Sequence, residues 1–297
     1  MKVAIVAGGA GALEDVVNTI ETEVEGEPLL RLRPRRGWQA INATELWHYR
    51  DLLWFLAARD IRVRYKQTVL GVLWALLQPV AAMVIFTLFV GKLVKVPGDI
   101  PYPVFAYCAL LPWQLFSQSL TQASNSLIEN ERLVTKVYFP RLLIPFAAVL
   151  SGLVDFAISS VLFFVMLWYY HIGVGPAMLL LPVLVVMVVI TALSVGLWLS
   201  ALNAHYRDFR YAVPFLIQVW FFASPVVYPA SLVEGQWQVV YGMNPMAGAI
   251  QAFRWALLGN VEPMWTMLAA SGATVFVLFV GGMFYFRRME RTMADWV

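Results

Sequence analysis

The chain has 297 residues, 61% of them hydrophobic and 13% charged, with 21 Lys and Arg against 18 Asp and Glu, and a mean hydropathy of +0.71. So few charges cannot cover a water-soluble globule of this size, so a monomeric soluble enzyme is excluded as a class. The single cysteine, Cys108, excludes an internal disulfide.

The chain opens with MKVAIVAGGAGALEDVV, an apolar start followed by glycines. A phosphate-binding loop needs Gly-Lys followed by Ser or Thr, and a dinucleotide fold needs a βαβ unit with a distant acid. Neither is present, and about 28 residues before Pro28 leave no room for either domain. Residues 1–43 read as a peripheral cytoplasmic extension. They also lack a basic segment followed by a long apolar one, so no cleavable signal is expected.

Residues 44–66, TELWHYRDLLWFLAARDIRVRYK, alternate apolar and charged positions at helical spacing. Leu46, Tyr49, Leu53, Leu56 and Ile61 share one face with Trp47 and Trp54 beside it, and Arg50, Asp51, Arg59, Asp60, Arg62 and Arg64 supply the other. Too polar to span, this helix is expected to lie along the inner membrane surface, Trp among headgroups and Arg on phosphates. A plain lipid anchor and a contact for a cytoplasmic partner fit it equally.

Six long apolar blocks follow: Val69 to Val90, Val104 to Leu127, Leu142 to Tyr170, Pro176 to Ala204, Tyr211 to Tyr228 and Thr266 to Phe286. A hydrocarbon core about 30 Å thick takes about 20 residues of α-helix, so each block meets or approaches a span. With both termini cytoplasmic and the spans alternating, 18 of the 21 Lys and Arg fall on the inside and only Lys92, Lys95 and Arg254 outside. That asymmetry predicts the topology and makes the basic balance a topogenic signal facing anionic lipid rather than a nucleic-acid site.

The loop between the second and third blocks, SLIENERLVTKVYFPRLLIP, has a helix-forming core with Glu129 and Glu131 near its start, Lys136 near its end and a breaking Pro140. It reads either as an ordinary connector or as a short helix that docks in a groove. Asp155 stands inside the third block, where a lone acid is costly unless paired or protonated. A structural hydrogen bond to Ser or Thr of a neighbouring helix is the expected role, ahead of a proton relay. His48, His171 and His205 are dispersed and make no metal set, and no Ser–His–Asp group or pair of catalytic acids occurs at membrane depth.

Four ordered segments carry a family resemblance. ELWHYRDLLWFLAARDIRVRYKQTVLGVLWALLQP, VTKVYFPR, ALNAHYRDFRYAVPFLIQVWFFASPVVYP and NPMAGAIQAFRWALLG resemble the permease subunit of type-two ABC exporters, in the branch that exports lipid-linked O-antigen, teichoic acid and related glycans. The likeness runs from about Arg31 to the C-terminus. It implies an all-α polytopic fold: six spans form one permease domain over residues 67–297, and residues 44–66 form the interface helix, with Trp47, Trp54, Arg59, Asp60, Arg62, Arg64, Tyr65 and Lys66. It also implies a coupling helix at about 129–141 that meets the ATPase through Glu129, Glu131, Arg132, Lys136, Phe139 and Arg141, and two short re-entrant helices between the fifth and sixth spans. The Pro- and Gly-interrupted stretch from Tyr228 to Pro263 provides material for these helices. The family's permease forms a homodimer and works with two copies of a separate ATPase, which holds ATP and Mg.

Aromatic and amide side chains inside the spans suit a sugar path, since sugar C–H faces stack on rings and hydroxyls bond amides, much as stacking platforms hold single-stranded nucleic acid. Trp74, Gln78, Trp113, Phe116, Gln218, Trp220, Phe221 and Phe222 are the candidate lining, with Gln114, Ser117 and Gln118 nearby; belt or packing roles compete for each. The expected function is the pathway of an ATP-driven inner-membrane exporter of a lipid-linked polysaccharide, without catalysis or a cofactor of its own. An exporter of small lipids or drugs and an integral-membrane glycan-modifying enzyme are the alternatives.

Overall fold

The computed structural model describes residues 47–66, 71–93, 100–137, 139–173, 175–206, 208–233, 237–259 and 263–290, all within one compact unit, Ile41–Val297. The N-terminal extension and the first residues of the expected interface helix lie outside them. The described residues are helical, with no strand among them. The helices are α1 (Arg50–Lys66), α2 (Gly71–Phe89), α3 (Tyr102–Glu129), α4 (Glu131–Lys136), α5 (Leu143–Tyr169), α6 (Leu181–His205), α7 (Phe209–Phe222), α8 (Trp237–Gly242), α9 (Pro245–Leu258) and α10 (Trp265–Glu290).

Three helical segments, Leu143–Tyr169, Pro176–His205 and Trp265–Glu290, are long and apolar enough to cross a membrane. α3 is comparable in length at 28 residues, but a row of amides and hydroxyls lowers its hydropathy. α7 departs from the expected fifth block. It ends at Phe222 after 14 residues, and 223–228 form turns, so the helix is about 21 Å long and does not reach Tyr228.

α3 is the axis of the bundle and packs against α2, α5, α6, α7 and α9. Its N-terminal half is buried on every side, from Val104 to Trp113. Tyr107 stacks on Phe163 of α5, with ring centroids 6.2 Å apart, and donates to the Ser159 carbonyl at 3.2 Å. Pro79 inside α2 lacks an N–H and so releases the carbonyl four residues back. That carbonyl, on Ala75, accepts from Ser159 Oγ at 3.1 Å, which satisfies it within the protein.

α6 and α10 approach closely at Gly282, where a Cβ would stand 2.8 Å from the Ser194 carbonyl oxygen. The space is taken by Trp198, which stacks on Tyr285 at 4.7 Å and donates to the Leu278 carbonyl at 3.1 Å. Small residues at such crossings are how apolar helices gain contact where lipid offers no hydrophobic drive.

Candidate functional site

Two polar centres and one stripe stand out from the apolar packing. The first is on the side of α4. Leu56 and Ala57 of α1 join Leu127, Val134, Phe139, Leu142, Leu143, Ile144, Leu197, Ala201 and Phe286 in one buried cluster, which therefore ties α1, α4 and the ends of α3, α5, α6 and α10 together. Arg59 donates to Asp60 Oδ1 at 2.8 Å and to Asn130 Oδ1 at 2.7 Å, and Asn130 is the single residue between α3 and α4. Further along α1, Arg64 Nη1 and the Tyr65 hydroxyl both donate to the Asp155 carboxylate. Burial first, and the hydrogen bond to Asp155 second, hold the Tyr65 phenol well above its usual range, so it stays a donor.

These contacts correct three expectations. Asp155 is paired with Arg64 and Tyr65 of α1 rather than with Ser or Thr of a neighbouring span. Arg59, Asp60 and Arg64 face the protein, while Trp47, Trp54, Arg62 and Lys66 are exposed. The helix in the connecting loop is also shorter than expected: six residues, Glu131–Lys136, with Glu129 ending α3. Glu129 at the end of α3 and Glu131, Arg132 and Lys136 of α4 are exposed, but Phe139 is buried. Arg141 turns the other way, its N–H meeting Glu290 Oε1 at 3.0 Å and its Nη1 the Glu290 carbonyl at 2.6 Å.

The second centre surrounds α8 and α9. Every residue of α9 except Trp255 is buried, so the run from Ala247 to Leu258 is not a loose loop. Asn244 precedes Pro245 and accepts from the Met246 N–H at 3.1 Å, a cap that starts α9. The same side chain accepts from Trp220 Nε1 at 2.8 Å and donates to the Ala223 carbonyl and Ser224 Oγ, fastening α9 to the end of α7. Ser271 Oγ donates to the Gly242 carbonyl at 2.7 Å and accepts from the Gly248 N–H at 3.0 Å. A methyl group on Gly248 would overlap Ser271.

Arg254 completes this centre. It is fully buried, its guanidinium lies 3.7 Å from the Phe105 ring centroid, and it donates to the Val226 and Tyr228 carbonyls at 2.9 and 3.1 Å. Charge counting treated Arg254 as an outer topogenic base; the structure makes it a structural cation that holds the 223–228 turns. Asn244 and Ser271 were missed in the sequence. The Asn-Pro pair was a legible helix-start signal, whereas nothing local marked Ser271.

The candidate lining divides. Trp113 and Phe116 are buried and pack edge-on against Phe221 and Trp220 at 5.4 and 5.0 Å, so in this chain they are packing residues. Phe221 also stacks on Phe86 of α2. Trp74, Gln78, Gln218 and Phe222 are exposed. The C-terminal half of α3 adds a stripe not foreseen in full: Gln114, Ser117, Gln118, Thr121, Gln122 and Asn125 are all partly exposed on one helical face. Gln122 accepts from Ser151 and Asn125 from Asn203, while the Nε2 of Gln114 and the Oε1 of Gln118 are buried atoms without a hydrogen-bond partner. Among the described residues no group of His, Cys, Asp and Glu could hold a metal ion.

Comparison with known proteins agrees with this architecture. Residues 51–258 match the ABC-2 type transporter family. The O-antigen export system permease protein RfbA of Myxococcus xanthus is 31% identical over 83% of this chain and 96% of its own length. A protein of the same name from Klebsiella pneumoniae is 27% identical over 82% of this chain and 94% of its own length. The polysialic acid transport protein KpsM of Escherichia coli is 25% identical over 81% and 94%. With more than two thirds of its residues inside the family match and an O-antigen export permease aligned over 96% of that relative's length, the chain belongs to the ABC-2 type transporter family, as a membrane-embedded transport subunit.

Proposed function

We propose that this chain forms, as a homodimer with two copies of a separate ATPase, the inner-membrane pathway through which a lipid-linked polysaccharide leaves the cytoplasm. The observation that carries the reading is the polar stripe on α3. A helix inside a membrane bundle that keeps six amides and hydroxyls partly exposed on one face needs a wet cavity or a polar partner there. Amides and hydroxyls in a row suit a hydroxyl-rich chain that slides rather than one small substrate held fast. The names of the aligned relatives, O-antigen and polysialic acid transport, support a glycan over a small lipid or drug.

On this reading the exposed Trp74, Gln78, Gln218 and Phe222 join the stripe as lining. Six spans place both termini in the cytoplasm, and α8 and α9 are re-entrant helices at the outer gate. α4 is the coupling helix, presenting Glu129, Glu131, Arg132 and Lys136 to the ATPase that carries ATP and Mg. Export would be measured in liposomes holding the permease and its ATPase with fluorescently tagged lipid-linked glycans of graded length. Replacing Gln114 and Gln118 together by Leu should lower export at least tenfold, most for long chains, while the dimer melts as before. Unchanged export by a folded variant defeats the lining. Orientation is tested separately, with single cysteines in a Cys108→Ala background and an impermeant thiol reagent on intact cells. Positions 92 and 173 should label and positions 132 and 288 should not; the reverse pattern rejects the topology.

A further inference from the structure

Asp155 is a buried carboxylate about 18 Å along α5 from Leu143 and about 21 Å from Tyr169, at 1.5 Å per residue. No step of transport described so far uses it. Its two donors, Arg64 and Tyr65, come from α1, outside the spans. Five residues earlier on that helix, Arg59 holds Asn130, the elbow between α3 and α4. Just before Arg59, on its N-terminal side, Leu56 and Ala57 anchor α1 in the cluster that also contains Val134 of α4. One continuous 17-residue helix is thus fastened at one point to the base of the coupling helix and at another to the interior of a span. Lipid anchoring needs neither tie.

We propose that α1 is a lever and Asp155 its receiving point: displacement of α4 moves Asn130 and Arg59, and the Arg64–Tyr65–Asp155 cluster passes that movement to α5 beside the polar stripe. Asp155, Arg64 and Tyr65 are therefore positioning residues that couple ATP hydrolysis to the pathway without touching nucleotide or glycan. A helix transmits axial displacement with little internal loss because its backbone hydrogen bonds run along its length. The charge pair at its end keeps a fixed partner while both helices move. Ser151 of α5 donates to Gln122 Oε1 of the stripe at 2.8 Å, so α5 has a direct contact to the proposed lining. The inference rests on the reading of α4 as the ATPase-docking helix.

The test uses the whole complex in liposomes with lipid-linked glycan, and reads ATPase co-purification, complex melting, ATP hydrolysis and glycan exported per ATP. Asp155→Asn, which keeps the shape and loses the charge, should assemble and hydrolyse ATP while export per ATP falls at least tenfold. Asp155→Glu should restore at least half of it. Tyr65→Phe, which removes one hydroxyl, should lower the ratio about threefold and decides the matter if Asp155→Asn does not assemble. A wild-type ratio in Asp155→Asn, or in Tyr65→Phe if Asp155→Asn does not assemble, overturns the lever. So does a loss of export that tracks loss of melting temperature in both Asn and Glu variants, which is a purely structural role. Failure of the docking reading shows differently: wild-type co-purification and export when Glu129 and Glu131 are both changed to Lys, whatever the Asp155 variants do.

Discussion

Asp155 and Arg254 are both charges withdrawn from water inside this bundle, and they are held by different means. Asp155 meets two side chains from a helix of another kind, the charged α1, whose long flexible arms allow the partners to shift and stay bonded. Arg254 is caged by two backbone carbonyls and an aromatic face, all belonging to the elements it joins. Side-chain links tolerate relative motion; carbonyl links hold the backbone itself. The centre around α1 and α4 is thus built to move as a linked set, and the centre around α8 and α9 to hold a fixed shape.

The largest effect expected from this contrast is at Arg254. Arg254→Met leaves two buried carbonyls unpaired, at about 1–3 kcal/mol each, and removes a desolvated cation–ring contact of about 2 kcal/mol. Thermal unfolding of the purified permease should show a deep loss of stability, and a variant that melts within a degree or two of wild type would break the comparison. Phe139→Ala comes next. It empties a buried site in the cluster that anchors α4 and should cost about 3–5 kcal/mol, so export and melting temperature should fall together. A stable Phe139→Ala permease that merely fails to bind its ATPase would instead restore Phe139 to the docking surface.

Gly248→Ala should cost about 1–3 kcal/mol, because a methyl there meets Ser271 at the point where α9 crosses α10. Pairing it with Ser271→Gly, which vacates the space but also removes a hydrogen bond, should recover only part of the loss in the same melting assay. The smallest effect on stability is expected at Glu129 and Glu131. Both are exposed, so reversing them to Lys should shift unfolding by no more than about 0.5 kcal/mol while co-purification with the ATPase drops severalfold. A large stability change there would mean that these acids face a partner inside this chain.

Much of the fold was legible because period and length report directly on helices. The apolar blocks became α2, α3, α5, α6 and α10, the loop helix ended at Lys136 ahead of Pro140, and the Pro- and Gly-interrupted stretch after α7 holds the short helices α8 and α9. The site was less legible. Trp113 and Gln114 are adjacent and equally plausible as lining, yet one is buried against Phe221 and the other sits on the open face, a difference of about 100° around the helix that composition cannot express. Arg59 and Arg64 read as a solvated face because charge is usually outside; both turn inward because Asn130 and Asp155 wait there.

Sequence alone determined that this chain belongs in a membrane, that its helices are many and mostly apolar, and which family it resembles, because those properties are sums over local residues. Only the tertiary structure decided which polar residues meet. Arg64 and Asp155 are 91 positions apart, and Arg254 and the Val226 carbonyl are 28 apart. Pairing at such separations depends on how helices cross, and helix crossing is set by close packing of whole surfaces rather than by any one residue's neighbours along the chain.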